Sequence, residues 1–148
     1  MAKPESKKLY IIGSLRNEGV PTLAKGLRAT FPGLDIFDDW YAAGETADDS
    51  WRDYERARGR TYAEALKGRA ANHVFNYDKS HLDSSDLVVL LLPAGKSGHL
   101  EAGYCIGKGK PVAILVDDPD RWDVMYLFAD TVCHDAKELV EWIEENLK

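Results

Sequence analysis

Five short apolar runs recur along the chain, with polar or helical segments between them. They cover residues 7–13, 34–37, 87–92, 111–116 and 131–133. The run at 87–92 is continuously apolar, and the run at 7–13 ends on Gly13; both features are typical of central strands that are buried on both faces. The pattern therefore predicts five strands.

The first segment between the runs has helical spacing. Pro21 suits the first turn of a helix, where a residue needs no N–H partner. Leu23, Leu27 and Phe31 follow at helical intervals, and Pro32-Gly33 ends the segment. The first two strands are therefore expected to be joined by a helix.

The remaining segments are less regular. Residues 41–49 are acidic and predict a loop, whereas residues 51–74 predict two helical pieces interrupted by Gly59 and Gly68. Further helices are expected over residues 98–108, over a short aromatic stretch at 122–129 and over residues 137–147.

Strands that alternate with helices indicate an α/β fold, in which a parallel sheet is covered on both faces and joined by right-handed crossovers. We expect a single domain over residues 1–148 with a doubly wound, flavodoxin-like (Rossmann-like) sheet in the order 2-1-3-4-5. Ligands of such sheets bind beyond the carboxyl ends of the strands, where the winding reverses. The cleft is therefore expected between the loops that follow 7–13 and 87–92.

Both of these loops carry groups that suit an anion or a sugar. Gly13-Ser14-Leu15-Arg16-Asn17 offers main-chain N–H groups and a guanidinium, although a tight turn with a solvated Arg16 is the structural alternative. Residues 93–98 lead into a helix through Ser97-Gly98, where free N–H groups can hold an anion. The two loops are candidate substrate-binding elements.

Glu101 is the candidate nucleophile. It lies near the start of the helix predicted over 98–108, where its carboxylate can face the cleft if it points toward the sheet. A Glu close behind Gly98 also commonly completes a helix cap, and taken alone that structural role is the stronger interpretation. The residue needs supporting groups before a catalytic role follows.

Asp78 and Asp86 are the candidate acids that could protonate a leaving base while Glu101 attacks, the division of labour of retaining glycosidases. Their structural alternatives are a solvated helix face or helix cap for Asp78 and a strand-entry residue for Asp86. His99 is a secondary candidate, because a lone His in a first helical turn is more often structural. Trp40 follows the second run and could stack on a nucleobase.

Composition and charge limit the kinds of molecule that the protein is expected to bind. The apolar fraction of 45% and the charged fraction of 30% indicate a globular domain, and the net charge of −6 gives no attraction for a nucleic-acid backbone. No run is long enough to span a membrane and residues 1–8 are polar, so we expect no membrane association and a cytoplasmic location. Cys105 and Cys133 lack disulfide or zinc spacing, and we expect neither a metal nor a cofactor.

Three motifs together resemble the nucleoside 2-deoxyribosyltransferase family over nearly the whole chain. They are Gly13-Ser14-Leu15-Arg16-Asn17, the pair Asp78 and Asp86 eight residues apart, and LLPAGKSGHLEAGY over residues 91–104. The superfamily also includes 2-deoxynucleoside 5-monophosphate N-glycosidases, whose first turn is more similar to the one here. Residues 93–99 depart from both groups.

The resemblance implies a flavodoxin-like fold with Glu101 as nucleophile. It further implies that Asp78 contacts the base or delivers its proton, that Asp86 supports the sugar or the nucleophile, and that Ser97 lies near the 5′ group. A neighbouring subunit often completes the pocket in this family, and Met125-Tyr126 occupy the corresponding place. A homo-oligomer is therefore expected.

We expect an enzyme that cleaves the N-glycosidic bond of a (deoxy)nucleoside or its 5′-monophosphate through a Glu101 glycosyl-enzyme intermediate and transfers the sugar to another base. Hydrolysis is the alternative, because water can replace the acceptor base. A non-catalytic nucleotide sensor is a second alternative, suggested by the altered 93–99 loop. A structural or interaction domain is the third.

Overall fold

The computed structural model describes residues 6–148 and contains a five-stranded parallel sheet in the order β2-β1-β3-β4-β5. The strands are β1 Lys8–Ile12, β2 Asp35–Phe37, β3 Leu87–Leu91, β4 Val112–Leu115 and β5 Thr131–Cys133. In register, Leu9 pairs with Leu87 and Ile12 with Leu90. The predicted fold class and strand order are confirmed.

In the part of the chain that the structure describes, six α-helices and two short 3₁₀ helices connect and cover the strands. The α-helices are α1 Gly19–Thr30, α2 Ala47–Ala57, α3 Tyr62–Leu66, α4 Arg69–Asp83, α5 Lys96–Gly107 and α6 Ala136–Asn146. The 3₁₀ helices span Asp39–Ala43 and Val124–Phe128.

The sheet separates two apolar cores. Leu9 and Ile11 point to the face covered by α1 and α6, whereas Tyr10 and Ile12 point to the face covered by α4 and α5. All five residues of β3 are buried, because side chains on both faces of a central parallel strand are covered. The continuous apolar run at 87–92 is the sequence signature of this position.

The crossover between β2 and β3 differs from the prediction. Residues 41–49 are not a loop, because a 3₁₀ helix occupies their start and α2 begins at Ala47. Asp48 and Asp49 lie in the first turn of α2, where carboxylates complement the helix dipole, so the acidic run marks a helix start.

The predicted interruptions at Gly59 and Gly68 are confirmed. Gly59 has a φ of +74°, a conformation that L side chains rarely adopt, and Gly68 is the N-cap of α4. The result is three helices rather than two, and α4 continues through Asp83. The prolonged α4 places Asp78 within a helix, one to two turns before its end.

Within residues 6–148, no helix combines the length and apolar character that a bilayer crossing requires. Cys105 and Cys133 are buried and free.

Candidate active site

The turns after β1 and β3 meet at the carboxyl edge of the sheet, where the cleft is predicted. In the first turn, the Asn17 N–H donates to the Ser14 carbonyl at 3.0 Å and the Arg16 N–H donates to Ser14 Oγ at 3.1 Å. Asn17 Nδ2 reaches the Pro93 carbonyl at 3.4 Å, and Asn17 Oδ1 accepts from Gly19 N at 2.9 Å. Asn17 therefore joins the two loops, while the Arg16 side chain remains exposed.

Gly13 allows a close approach that a side chain would prevent. A Cβ atom there would lie 2.8 Å from Val20 Cγ2 and 3.6 Å from Trp40 Cη2. The Trp40 indole packs against this turn and donates from Nε1 to the Ile11 carbonyl at 2.8 Å. The geometry therefore gives Trp40 a structural contact with β1, and the expected stacking on a base stays a prediction.

Gly98 has a similar role at the start of α5. It is buried, and a Cβ atom there would lie 3.2 Å from Ile12 Cγ2 and 3.4 Å from Leu90 Cδ1. The absence of a side chain lets the first turn of α5 rest on the ends of β1 and β3. This contact sets the distance between α5, which carries Glu101, and the sheet.

Glu101 does not cap its helix. The N-cap of α5 is Gly95, and Glu101 is the sixth residue of the helix, beyond the third position that a capping box uses. Burial, and secondarily the charge of Asp78, raise the pKa of the Glu101 carboxyl to about 7. Within residues 6–148 no cation or hydrogen-bond donor offsets this burial.

Asp78 faces Glu101 from α4. Its side chain is half-buried, and burial raises its pKa above the usual range. Neither carboxyl has an ion-pair partner within residues 6–148, and the charge of Asp78 contributes to the raised pKa of Glu101. The two predicted acids therefore lie close enough for the charge of one to act on the other.

Tyr10 lies with Glu101 and Asp78, and the sequence did not predict it as a site residue. Its ring is 1% exposed and packs 5.0 Å from the Phe37 ring. Burial, followed by the charges of Glu101 and Asp78, raises the pKa of its hydroxyl. The sequence signal that could have identified Tyr10 is that it is the one hydroxyl-bearing residue of β1, the strand that leads to the Gly13 turn.

Asp86 lies at the other edge of the sheet. It immediately precedes β3, and its Oδ2 accepts from Lys8 N at 2.9 Å. The five residues of β3 separate it from the carboxyl edge by about 16 Å at the ordinary rise of a strand. The structure therefore does not bring Asp86 to the cleft, and its contact with β1 is that of a strand-entry residue.

His99 and Tyr126 link α5 to the 3₁₀ helix that follows β4. His99 Nδ1 lies 2.8 Å from the Gly95 carbonyl, and Nε2 lies 3.0 Å from the Tyr126 hydroxyl. Because a carbonyl only accepts, Nδ1 of the neutral ring carries the proton, and Tyr126 donates to Nε2. Ser97 is exposed at the start of α5. Met125, which precedes Tyr126 in the sequence, is also exposed.

Comparison with known proteins adds support for the fold. No family model and no curated protein matches the chain. Among solved structures, a conserved protein from Enterococcus faecalis V583 is similar with a TM-score of 0.64 at 15% identity, covering 95% of this chain and 99% of that one. The CMP N-glycosidase BcmB of Clostridium botulinum is similar with a TM-score of 0.53 at 10% identity, covering 93% and 99%.

At these identities the likeness concerns the fold. Both similar structures therefore support the doubly wound α/β fold of this chain.

Proposed function

We propose that the protein cleaves the N-glycosidic bond of a (deoxy)nucleoside 5′-monophosphate, with Glu101 as nucleophile and Asp78 as acid and base. The observation that carries the proposal is the half-buried Glu101 carboxyl, which has no ion-pair partner within residues 6–148 and has a second carboxyl near it at the carboxyl edge of the sheet. Burying a carboxylate without a partner is costly, so the arrangement favours a reactive role over a structural one.

The reaction has two steps. The Glu101 carboxylate attacks C1′ as the bond from C1′ to the base nitrogen breaks, and Asp78 transfers its proton to the departing base. A glycosyl ester of Glu101 remains. Water then attacks C1′, Asp78 accepts the water proton, and Glu101 leaves as a carboxylate, which restores both residues.

This scheme needs one proton on the acid pair. Glu101 has a pKa of about 7, so in the free protein it is only partly ionised near neutrality. Positive charge that develops at C1′ favours ionised Glu101, because an opposite charge close to a carboxyl lowers its pKa. The oxocarbenium-like transition state therefore favours the form in which Glu101 is charged and Asp78 holds the proton.

The 5′-phosphate has two candidate binding elements. Arg16 is exposed beside the Gly13–Asn17 turn, and guanidinium groups bind phosphate through paired hydrogen bonds. Ser97 and Lys96 begin α5, a 12-residue helix whose first N–H groups favour an anion. We assign the phosphate to the space between these two elements.

Transfer of the sugar to a second base is the other candidate outcome. It differs only in the group that attacks the glycosyl ester, and the resemblance of residues 91–104 to the transferase family supports it. The structural similarity to a CMP N-glycosidase supports hydrolysis instead. Both outcomes use Glu101 and Asp78 in the same roles.

Chromatography of the purified protein with nucleoside and deoxynucleoside 5′-monophosphates tests the proposal, each with and without a second free base. Free base plus sugar phosphate identifies a hydrolase, and a new nucleotide identifies a transferase. Glu101→Gln is the matched control, because it keeps the shape of the side chain. Ligand binding without release of base would support a sensor and contradict the proposal.

We also propose a homo-oligomer. Five large apolar side chains in the segment 122–128, which includes Tyr126, are more than half exposed: Trp122, Val124, Met125, Leu127 and Phe128. Contiguous exposed apolar surface favours association. Sedimentation of the wild type and of Leu127→Glu/Phe128→Glu tests this, and a monomeric wild type would contradict it.

A further inference from the structure

A second pocket lies away from the cleft, in the crossover between β2 and β3. It encloses about 450 Å³ between α2 and α3. Its wall contains three guanidinium groups and two aromatic rings, from Trp51, Arg52, Arg56, Arg60 and Tyr62. None of these side chains belongs to the Glu101 cleft.

The crossover also concentrates positive charge in an acidic protein. Residues 51–69 contain six Lys and Arg against three Asp and Glu, whereas the whole chain has a net charge of −6. An anion that approaches the protein is therefore attracted to this segment and repelled by most of the remaining surface.

The three guanidinium groups are held in different ways. Arg52 pairs with two acids of α2 at 3.2 and 3.0 Å, and Arg60 Nη1 lies 2.8 Å from Glu55 Oε2. Arg56 forms no ion pair within residues 6–148. The pocket thus has two oriented cations and one whose charge is not neutralised by a neighbouring carboxylate.

Buried polar atoms beside the pocket lack partners. Trp51 Nε1, on a residue that lines the pocket, has no acceptor, and Glu55 Oε1 has no donor although Glu55 is only 2% exposed. The two residues are four apart on α2 and therefore lie on one face of it. Unpaired buried polar atoms are unusual in folded proteins. The Trp51 N–H fits an acceptor atom of a guest, whereas the Glu55 oxygen, outside the pocket lining, fits only a donor.

The aromatic rings suit a flat group. Tyr62 is 72% exposed, and its ring lies 6.3 Å from that of Trp51 in an edge-on arrangement. One face of Tyr62 can therefore stack on a planar ring while the neighbouring guanidinium groups contact a charge attached to it.

We propose that this pocket binds an organic phosphate that carries a planar ring, which is the chemistry of a nucleotide, as a second site separate from the Glu101 cleft. Arg56 supplies the principal contact with the phosphate, because its charge is available. Arg60, held by Glu55, orients the phosphate, and Tyr62 stacks on the ring.

Calorimetric titration of CMP into the Glu101→Gln protein tests this, because that substitution prevents consumption of the probe. Two binding events per chain are expected. Arg56→Gln and Tyr62→Ala each weaken one of them by about tenfold, as loss of a charge-assisted contact or a stacked ring does. Arg16→Gln weakens the other.

Arg58→Gln is the matched control. Arg58 is on the same segment but contacts Tyr54 and does not line the pocket, so its loss leaves both events unchanged. Equal binding by the Arg56→Gln and Arg58→Gln proteins would overturn the proposal, as would a single event that Arg16→Gln removes. A single event that depends on Arg56 and not on Arg16 would support the pocket and count against the proposed cleft reaction instead.

Discussion

Glu55 is buried and Glu101 is half-buried, and the two glutamates differ in what surrounds them. Glu55 on α2 is 2% exposed and binds the Arg60 guanidinium at 2.8 Å. Glu101 on α5 has a second carboxyl as its charged neighbour, and its pKa rises to about 7. A carboxylate with a structural role is paired with a cation. A reactive carboxylate lacks such a partner, and its charge is neutralised by a proton or by positive charge that develops on the substrate.

The largest expected effect is on turnover. Glu101→Gln removes the attacking carboxylate and is expected to lower kcat by about a thousandfold or more, since covalent catalysis fails without its nucleophile. Glu55→Gln is expected to retain the activity of the folded fraction. Initial rates of base release, with circular dichroism as a check on folding, measure both. Comparable rates for Glu101→Gln and the wild type would show that Glu101, like Glu55, is not needed for turnover.

Asp78→Asn is expected to lower the rate with an ordinary nucleobase by about a hundredfold or more, the usual contribution of a general acid. A substrate whose leaving group needs no proton, such as a nitrophenyl glycoside of the same sugar phosphate, is expected to recover most of the rate. Equal losses on both substrates would show that Asp78 has a different role.

The stability of the two glutamate variants should change in opposite directions. The folded-state pKa of Glu101 is about 7 against a usual 4.5, so the folded state binds more protons between these values and its stability falls as the pH rises through this window. Glu101→Gln is therefore expected to stabilise the protein at pH 8 by up to about 3 kcal/mol and to have little effect at pH 4. Thermal unfolding at the two pH values measures this.

Glu55→Gln is expected to lower the Tm at neutral pH, because Arg60 loses its counter-charge. A variant that unfolds at the same temperature as the wild type would show that the pair contributes nothing to stability.

The acid pair also predicts the pH dependence of kcat/KM. The singly protonated pair is the active form, so kcat/KM is expected to fall above pH 7, where Glu101 and Asp78 are both ionised, and to fall again in acid, where both are protonated. A rate that keeps rising well above pH 7 would contradict the shared proton.

Tyr10→Phe is expected to have a smaller effect, a decrease in kcat of about tenfold, because it removes one hydroxyl beside two carboxyls without opening a cavity. The descending limb of the kcat/KM profile should shift with it. Asp86→Asn, at the opposite edge, is the matched variant and is expected to leave kcat and this limb unchanged.

The fold was largely predictable because its determinants are local. The buried run at 87–92, the breaks at Gly59 and Gly68 and the two turns at the carboxyl edge are each visible within a few residues. The helix start at Ala47 was missed, because the acidic residues that stabilise a first turn also occur in loops.

The site was predictable only in part, because it depends on which edge and face a residue occupies. Asp78 and Asp86 are eight residues apart, yet α4 ends between them, at Asp83, and Asp86 lies immediately before β3. Asp78 therefore faces Glu101 and Asp86 lies at the amino edge. Tyr10 lies near Glu101 and Asp78 because alternate residues of β1 face α4 and α5. The spacing between sequence motifs does not reveal this.

The unneutralised carboxyl of Glu101 has a consequence for how this chain would evolve in the laboratory. A population selected for heat resistance at alkaline pH, without a demand for turnover, should accumulate neutral residues at position 101 early, because they relieve a cost borne by the native protein. Selection for turnover should hold the glutamate in place. Sequencing the two populations would therefore test whether turnover, and not folding, maintains the glutamate at position 101.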